Sequence, residues 1–241
     1  MEYLLLVSLF TIALLYSSIG HGGGSGYLAL FAIFGIAPLF MKSTALTLNL
    51  FVSAISFFSY YKAGYFRLKL ILPFLLTSIP SAYIGALIHV DSKIFKFILG
   101  IFLLVAIARM LIIPRAVGEA TNRPNLILAL IIGAVLGFFS GMIGIGGGII
   151  LSPLLILMRW ANLKESASAS AIFIFLNSAA GLTGTFHAGL TIEPRIIYWV
   201  LAGMAGAIIG SYLGSFRLTS TKLKYILSLV LLFASFKLFF Y

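Results

Sequence analysis

Apolar residues fill most of this chain in blocks of 18 or more, broken only by short polar patches. Blocks of that length predict membrane-spanning helices. They fall at 44–61, 70–89, 94–113, 166–186, 196–214 and 223–241. Two further segments, 3–40 and 126–160, are too long for one crossing, because about 20 helical residues already span the hydrocarbon. Each is split by a glycine cluster. The first cluster is Gly20-His21-Gly22-Gly23-Gly24-Ser25-Gly26 and the second is Gly144-Ile145-Gly146-Gly147-Gly148. The flanking runs are 3–16 and 27–40 around the first, 126–142 and 149–159 around the second. Each run is too short for a comfortable crossing. Two pictures follow: a tight hairpin of two thin spans, or a re-entrant hairpin whose tip stops near the midplane. The tips hold only small or neutral groups, which favours the re-entrant picture.

Consecutive glycines cost a helix about 1 kcal/mol each relative to alanine. They leave backbone N–H and C=O groups free to face whatever lies nearby. In a bilayer such backbone survives only where it is buried in protein or lines a cavity. Found twice, at matching places, the clusters are the first candidates for a site.

The chain repeats itself. A shift of 124 aligns Gly20, Gly22, Gly23 and Gly24 with Gly144, Gly146, Gly147 and Gly148. A shift of 125 aligns Ser53-Ala54 with Ser178-Ala179, Ala63-Gly64 with Ala188-Gly189, and Ile84-Gly85 with Ile209-Gly210. A shift of 128 aligns Ser92 and Lys96 with Ser220 and Lys224. Residues 1–113 and 126–241 therefore read as two copies of one unit, joined by the linker 114–125. Each unit has one split segment and three full spans, and so crosses an odd number of times. Two odd units in tandem have opposite orientation. The expected fold is an all-α polytopic membrane protein of two inverted repeats, the plan of many secondary transporters.

Composition agrees with a membrane setting. The 241 residues are 62% hydrophobic and 9% charged, with mean hydropathy +1.18; soluble domains are about a quarter charged. The first apolar run lacks a basic leader and carries Glu2, so it reads as a retained span and not as a cleaved signal. With no cysteine, disulfides and thiolate metal sites are excluded. Three histidines and five carboxylates leave little for a metal centre or an enzyme, and neither metal nor cofactor is expected. The net charge of +11 divides unevenly. The repeat plan puts Lys62, Arg67, Lys69, Arg109, Arg115, Arg123, Arg159, Lys164, Arg217, Lys222 and Lys224 on one side. It puts Lys42, Lys93, Lys96, Arg195 and Lys237 on the other. The richer side is expected to be cytoplasmic, in the cell membrane. The scattered basic residues argue against nucleic acid as a partner.

Candidate binding groups gather around the two clusters. The N–H groups at the starts of 25–40 and 149–160 can hold an anion, through free donors and about half a positive charge at each helix beginning. The residues concerned are Gly20, His21, Gly22, Gly23, Gly24 and Ser25, with Gly144, Gly146, Gly147 and Gly148. Close packing of two hairpins is the plainer use of the same glycines. The following spans carry Asn49 in one repeat and Asn177-Ser178 in the other. These are oxyanion contacts or braces for the tips, although pairing Asn49 with Asn177 needs a three-residue gap. His21 could donate to an anion, carry a proton or tie down its loop. His187 and Lys62 read as span-end residues. Gly133, Gly137 and Gly141, like Gly206, Gly210 and Gly214, form smooth strips for packing within the protein or for a homodimer face. Pro73 and Pro80 are candidates for a kink.

Residues 140–157, SGMIGIGGGIILSPLLIL, followed by SASAIFIFLNS from Ser168 to Ser178 and then HAGL, resemble the second repeat of the TauE/SafE family. The first copy, SSIGHGGGSGYLALFAIFGI with STALTLNLFVS and KAGYF, looks like a diverged first repeat. The resemblance implies a multi-pass transporter of sulfite, organosulfonates or related small anions. It carries the glycine motif onto Gly144, Gly146, Gly147 and Gly148 and the helix asparagine onto Asn177. The first copy departs from the pattern at His21 and Ser25-Gly26, and has no match to Pro153. The expectation is a small anion held between the two tips and exposed alternately to either side. The alternatives are a passive anion channel with the same tips as its filter, or a membrane subunit that scaffolds a partner.

Overall fold

The computed structural model describes residues 2–88, 122, 124–189, 191–219 and scattered positions between 221 and 232. The expected span 94–113, most of the linker and most of the span 223–241 lie outside these residues. The described residues are helices and connecting turns, with no strand. They form α1 (Glu2–Ser17), α2 (Gly24–Ile33), α3 (Pro38–Lys62), α4 (Leu68–Leu87), α5 (Leu126–Ile143), α6 (Gly148–Leu157), α7 (Leu163–His187) and α8 (Ile196–Tyr212), which runs into a π turn at Leu213–Arg217. Five of these helices are long and apolar enough to cross a membrane: α3, α4, α5, α7 and α8 with its π turn. The all-α polytopic expectation is borne out.

Local chemistry sets the boundaries. The run 27–40 divides in two because Gly35 takes a left-handed turn, φ +68°, and Pro38 opens α3, a first-turn position where its missing N–H costs nothing. α7 begins on a capping box: the Asn162 side chain accepts from Lys164 N and Glu165 N, and Glu165 accepts from Asn162 N. Pro73 and Pro80 lie inside α4, which stays one helix.

The glycine strips set helix direction. Phe10, Leu14 and Ser18 of the first hairpin meet Gly206, Gly210 and Gly214 in the same order, so α1 runs parallel to α8. Phe74, Ser78 and Ala82 meet Gly133, Gly137 and Gly141 likewise, so α4 runs parallel to α5. A side chain at any of these six glycines would strike backbone on the facing segment. Both strips are thus used inside the chain. Leu48 and Val52 against Gly203, with Ser59 bonded to Ser211, make α3 parallel to α8. Leu46 against Gly181, with Arg67 paired to Glu165, makes α3 antiparallel to α7. Helices α1, α3 and α8 therefore point one way, and α4, α5 and α7 the other.

The cores follow the same exchange. One packs Leu9, Tyr27, Phe31 and Leu48 of α1–α3 around Trp199 of α8. The other packs Leu155, Phe173 and Ala129 of α5–α7 around Ile71 and Phe74 of α4. Each half thus lends its last described long helix to the other half's core. Charges sit at the ends. Arg67 pairs with Glu165 at 3.2 Å, and Lys164 Nζ donates to Ser215 O at 3.1 Å. This end also holds Lys62, the last residue of α3, and Arg217, which closes the π turn. At the opposite end Glu193 accepts from Arg195 Nε at 2.8 Å, a bond that pushes the guanidinium pKa further up. His187 closes α7, beside Tyr83 Oη at 3.2 Å.

Candidate functional site

Each glycine cluster reverses the chain between two short helices. Gly23 (φ +96°) and Gly147 (φ +73°) directly precede the first residues of α2 and α6, in a backbone conformation that side chains resist. The earliest amides of these helices lack an i−4 acceptor; in α6, Ile150 N donates to Gly147 O at 3.2 Å, and Gly147 brings no side chain to cap the rest. The arms are tied back behind the turns: His21 N donates to Tyr16 O at 2.8 Å, and Gly144 N to Ser140 O at 2.9 Å.

The two tips converge on one pair of side chains. Asn49 and Ile174 sit near the middles of the two 25-residue helices, α3 and α7. A methyl group on Gly22 would stand 2.6 Å from Asn49 Oδ1 and 2.9 Å from Ile174 Cγ2. One on Gly146 would stand 2.8 Å from Ile174 Cγ2 and 3.1 Å from Asn49 Nδ2. Gly24 lies against the Asn49 amide, and a methyl there would also stand 2.8 Å from Ile145 O of the opposite tip. The tips therefore meet about halfway along the long helices. Between them is a small pocket with room for about one water molecule, lined by Tyr16, His21, Gly22, Gly23, Gly24, Ser25, Ile145, Ile149 and Ile174.

Asn49 is fully buried, and neither its Nδ2 nor its Oδ1 has a hydrogen-bond partner among the described residues. Leaving such a group unpaired costs about 1–3 kcal/mol, and most buried polar atoms avoid it. His21 is also buried. Its Nε2 lies 2.9 Å from Ser152 Oγ of α6, and Ser152 Oγ lies 2.7 Å from Ser170 Oγ of α7. Its Nδ1 has no partner among the described residues, and donates or accepts according to tautomer. Ser25 Oγ is 3.0 Å from Tyr16 Oη.

The remaining sequence candidates lie around this centre. Ser178 Oγ is buried without a partner among the described residues, 3.4 Å from where a Gly146 methyl would stand. Gly148 packs against Ile174, and Gly20 against the backbone of Ala167. Gly144 rests on the stem of Lys42, whose Nζ donates to Ala86 O at 3.0 Å, at the end of α4. Asn177 turns elsewhere: its Nδ2 donates to Ser78 Oγ at 3.1 Å and Phe173 O at 2.8 Å, fastening α7 to α4. The true counterpart of Asn49 is Ile174, as the shift of 125 has it. Sequence reasoning also passed over Ser152, a lone hydroxyl in an apolar run. Its partner His21 lies 131 residues away, too far for any local pattern to reveal. Among the described residues no three of His, Asp and Glu gather as metal ligands. The chemistry at this centre is that of amides, hydroxyls and one imidazole.

Such a centre can bind a small polar solute in the middle of an apolar bundle. Comparison with known proteins identifies the family. Residues 4–238 match the family described as "Sulfite exporter TauE/SafE". The chain is 35% identical over 238 residues to "Probable membrane transporter protein y4hK" of Sinorhizobium fredii, covering 97% of this chain and 96% of that one. It is 28% identical over 258 residues to "Probable membrane transporter protein YjnA" of Bacillus subtilis, covering 98% of each. A relative from Methanocaldococcus jannaschii, "Probable membrane transporter protein MJ0441", is 30% identical over 198 residues, 75% of this chain and 73% of that one. No solved structure matches. The chain is an integral membrane protein and belongs to the TauE/SafE family of sulfite exporters and membrane transporters.

Proposed function

We propose that the protein carries a small sulfur oxyanion, sulfite or an organosulfonate, across the cell membrane, and that the anion binds between the two glycine tips. One observation carries this reading: a fully buried carboxamide, Asn49, stands without a hydrogen-bond partner among the described residues where Gly22, Gly24 and Gly146 meet. The helix beginnings of α2 and α6, the latter without a side-chain cap, add a partial positive charge beside the same place. No buried lysine or arginine is needed.

The mechanism is alternating access by two inverted halves. The opposed directions of α1 and α5, of α3 and α7, and of α4 and α8 support it, because each pair occupies matching places in the repeat. Rocking of one half against the other would open the tips to either side in turn. The end holding Lys62, Arg67, Lys164 and Arg217 is the cytoplasmic one by the positive-inside rule.

Flux of radiolabelled sulfite into proteoliposomes tests the reading. The expected result is saturable flux that disappears in Asn49→Leu. Equal flux into empty and protein-bearing vesicles for sulfite and sulfonates would remove the proposal. Linear, unsaturable flux with single-molecule currents would replace the carrier with a channel.

A further inference from the structure

We infer that His21 takes up one proton when the anion binds and gives it back when the anion leaves, so that the two travel together. The inference rests on the reading that the tips bind an anion. The His21 ring belongs to the wall of the pocket between the tips. That pocket has room for about one water molecule, enough to bring a proton to the ring. Ser152 Oγ of α6 engages Nε2, and Nδ1 has no partner among the described residues. With the hydrogen of the neutral ring on Nε2, Ser152 accepts it and can itself donate to Ser170. Uptake then uses the Nδ1 lone pair. An N–H bond forms there with a proton from water, and breaks again to return it. The bond to Ser152 is the same before and after.

Charge explains why the proton waits for the anion. The ring is buried. Tyr16, 6.4 Å away between ring centroids, and Tyr27, packed on Gly23, are the titratable groups beside it on its own hairpin. The second hairpin brings Ile145, Ile149 and Ser152, and α7 brings Ile174, with Ser170 behind Ser152. Lys42 of α3 reaches Gly144 of the second tip, but its ammonium is bonded to the Ala86 carbonyl. The described carboxylates, Glu2, Glu165 and Glu193, lie at helix ends or in a turn. None of the described residues around the ring therefore offers an imidazolium a counter-charge. A buried charge without one is costly, and a bound anion supplies it. By reciprocity, the proton strengthens anion binding by the same factor. The second tip has Ile145 where the first has His21, so the count is one proton per anion and not two.

Titration calorimetry of the purified full-length protein in detergent tests this, with methanesulfonate as the probe. Unlike sulfite, methanesulfonate takes up no proton of its own near neutral pH. Buffers of different ionisation enthalpy should reveal one proton bound per anion. Affinity should rise about tenfold for each unit by which pH falls, between about pH 8 and pH 6. His21→Gln keeps a donor for Ser152 and cannot be protonated, so it should bind with no proton uptake and a flat pH profile. Parent protein that binds at a pH-independent affinity with no proton uptake overturns the inference and leaves the anion site standing. A parent-like slope in His21→Gln overturns it as well. Failure to bind at every pH overturns it together with the reading on which it rests. Nitrogen NMR of the parent, labelled at its histidines, needs no variant. At constant pH, methanesulfonate should turn one neutral ring into an imidazolium, and the absence of that change overturns the inference.

Discussion

Gly22 and Gly146 hold matching places in the two hairpins and lean on the same two side chains, yet the residues around them differ at nearly every step. Where the first tip has His21 and Ser25, the second has Ile145 and Ile149. Beside the first tip's Gly20 lies Ala167; beside Gly144 lies Lys42. On the long helices, Asn49 faces Ile174. The shape is therefore doubled and the chemistry is not. One hairpin brings polar groups to the cavity, and the other brings an apolar wall and the serine that steadies His21. On the reading proposed above, a symmetric backbone would let two halves exchange places during a transport cycle, while an asymmetric lining would give the anion a defined orientation between a polar and an apolar side.

The strongest way to break this comparison is to place the same methyl group in both hairpins. In Gly24→Ala the new carbon collides with the Asn49 amide and with the Ile145 carbonyl, which is backbone. In Gly148→Ala it meets side-chain carbons of Ile174, which can swing away, and comes no nearer than 3.2 Å to backbone, at the Ser170 carbonyl. Sulfite flux in proteoliposomes should fall about a hundredfold in the first, as a misplacement of about 1 Å at a binding centre can do. It should fall only severalfold in the second. Equal losses would mean that the tips serve packing alone.

Next comes the pair at the centre. Asn49→Leu removes an amide that bonds to nothing among the described residues, so stability should hold or rise. Affinity for methanesulfonate should fall at least about tenfold. Ile174→Asn should retain binding, because it adds a polar group on the other side of the same contact. A thermal melt and a titration on each variant read both quantities. If Asn49→Leu melts early and still binds, the asparagine is a brace and not a ligand.

A smaller effect is expected at the link between hairpins. Ser152→Ala leaves His21 Nε2 buried without a partner, at about 1–3 kcal/mol. That corresponds to a fall in melting temperature of several degrees for a chain of this size. Ser170→Ala should cost less, because Ser152 keeps His21 as its partner.

These contrasts also explain what can be read from sequence in advance. The spans and the split segments are one-dimensional signals: runs of apolar residues and clusters of glycine, each visible without knowing what touches what. The doubling of the tips implies that they meet. The glycine strips are plain, but their partners on α1 and α4 are not, since the pairing of Gly206 with Phe10 joins opposite ends of the chain. Residue type matches Asn49 to Asn177, across a gap, whereas register pairs it with Ile174. The register moves by one between the tip and the next helix, and chemical likeness is the weaker guide. The bond between His21 and Ser152 is invisible in sequence for the reason that makes it useful: it ties together two hairpins that the chain keeps far apart.

The smallest expected change is at Lys42, and it tests the asymmetry from outside the cavity. Its stem covers Gly144 while its ammonium bonds the Ala86 carbonyl at the end of α4, where a cation complements the helix dipole by about 0.3–1 kcal/mol. A methionine in its place would keep the apolar stem and lose the head, so Lys42→Met should lower the melting temperature by only about 2 °C. If charge outside the cavity wall is not felt within it, the affinity for methanesulfonate should stay within about twofold of the parent. A tenfold loss would mean that the charge behind the second tip is felt by the bound anion. The two hairpins would then differ in the opposite sense, with the cation of the second and not the amide of the first holding the substrate.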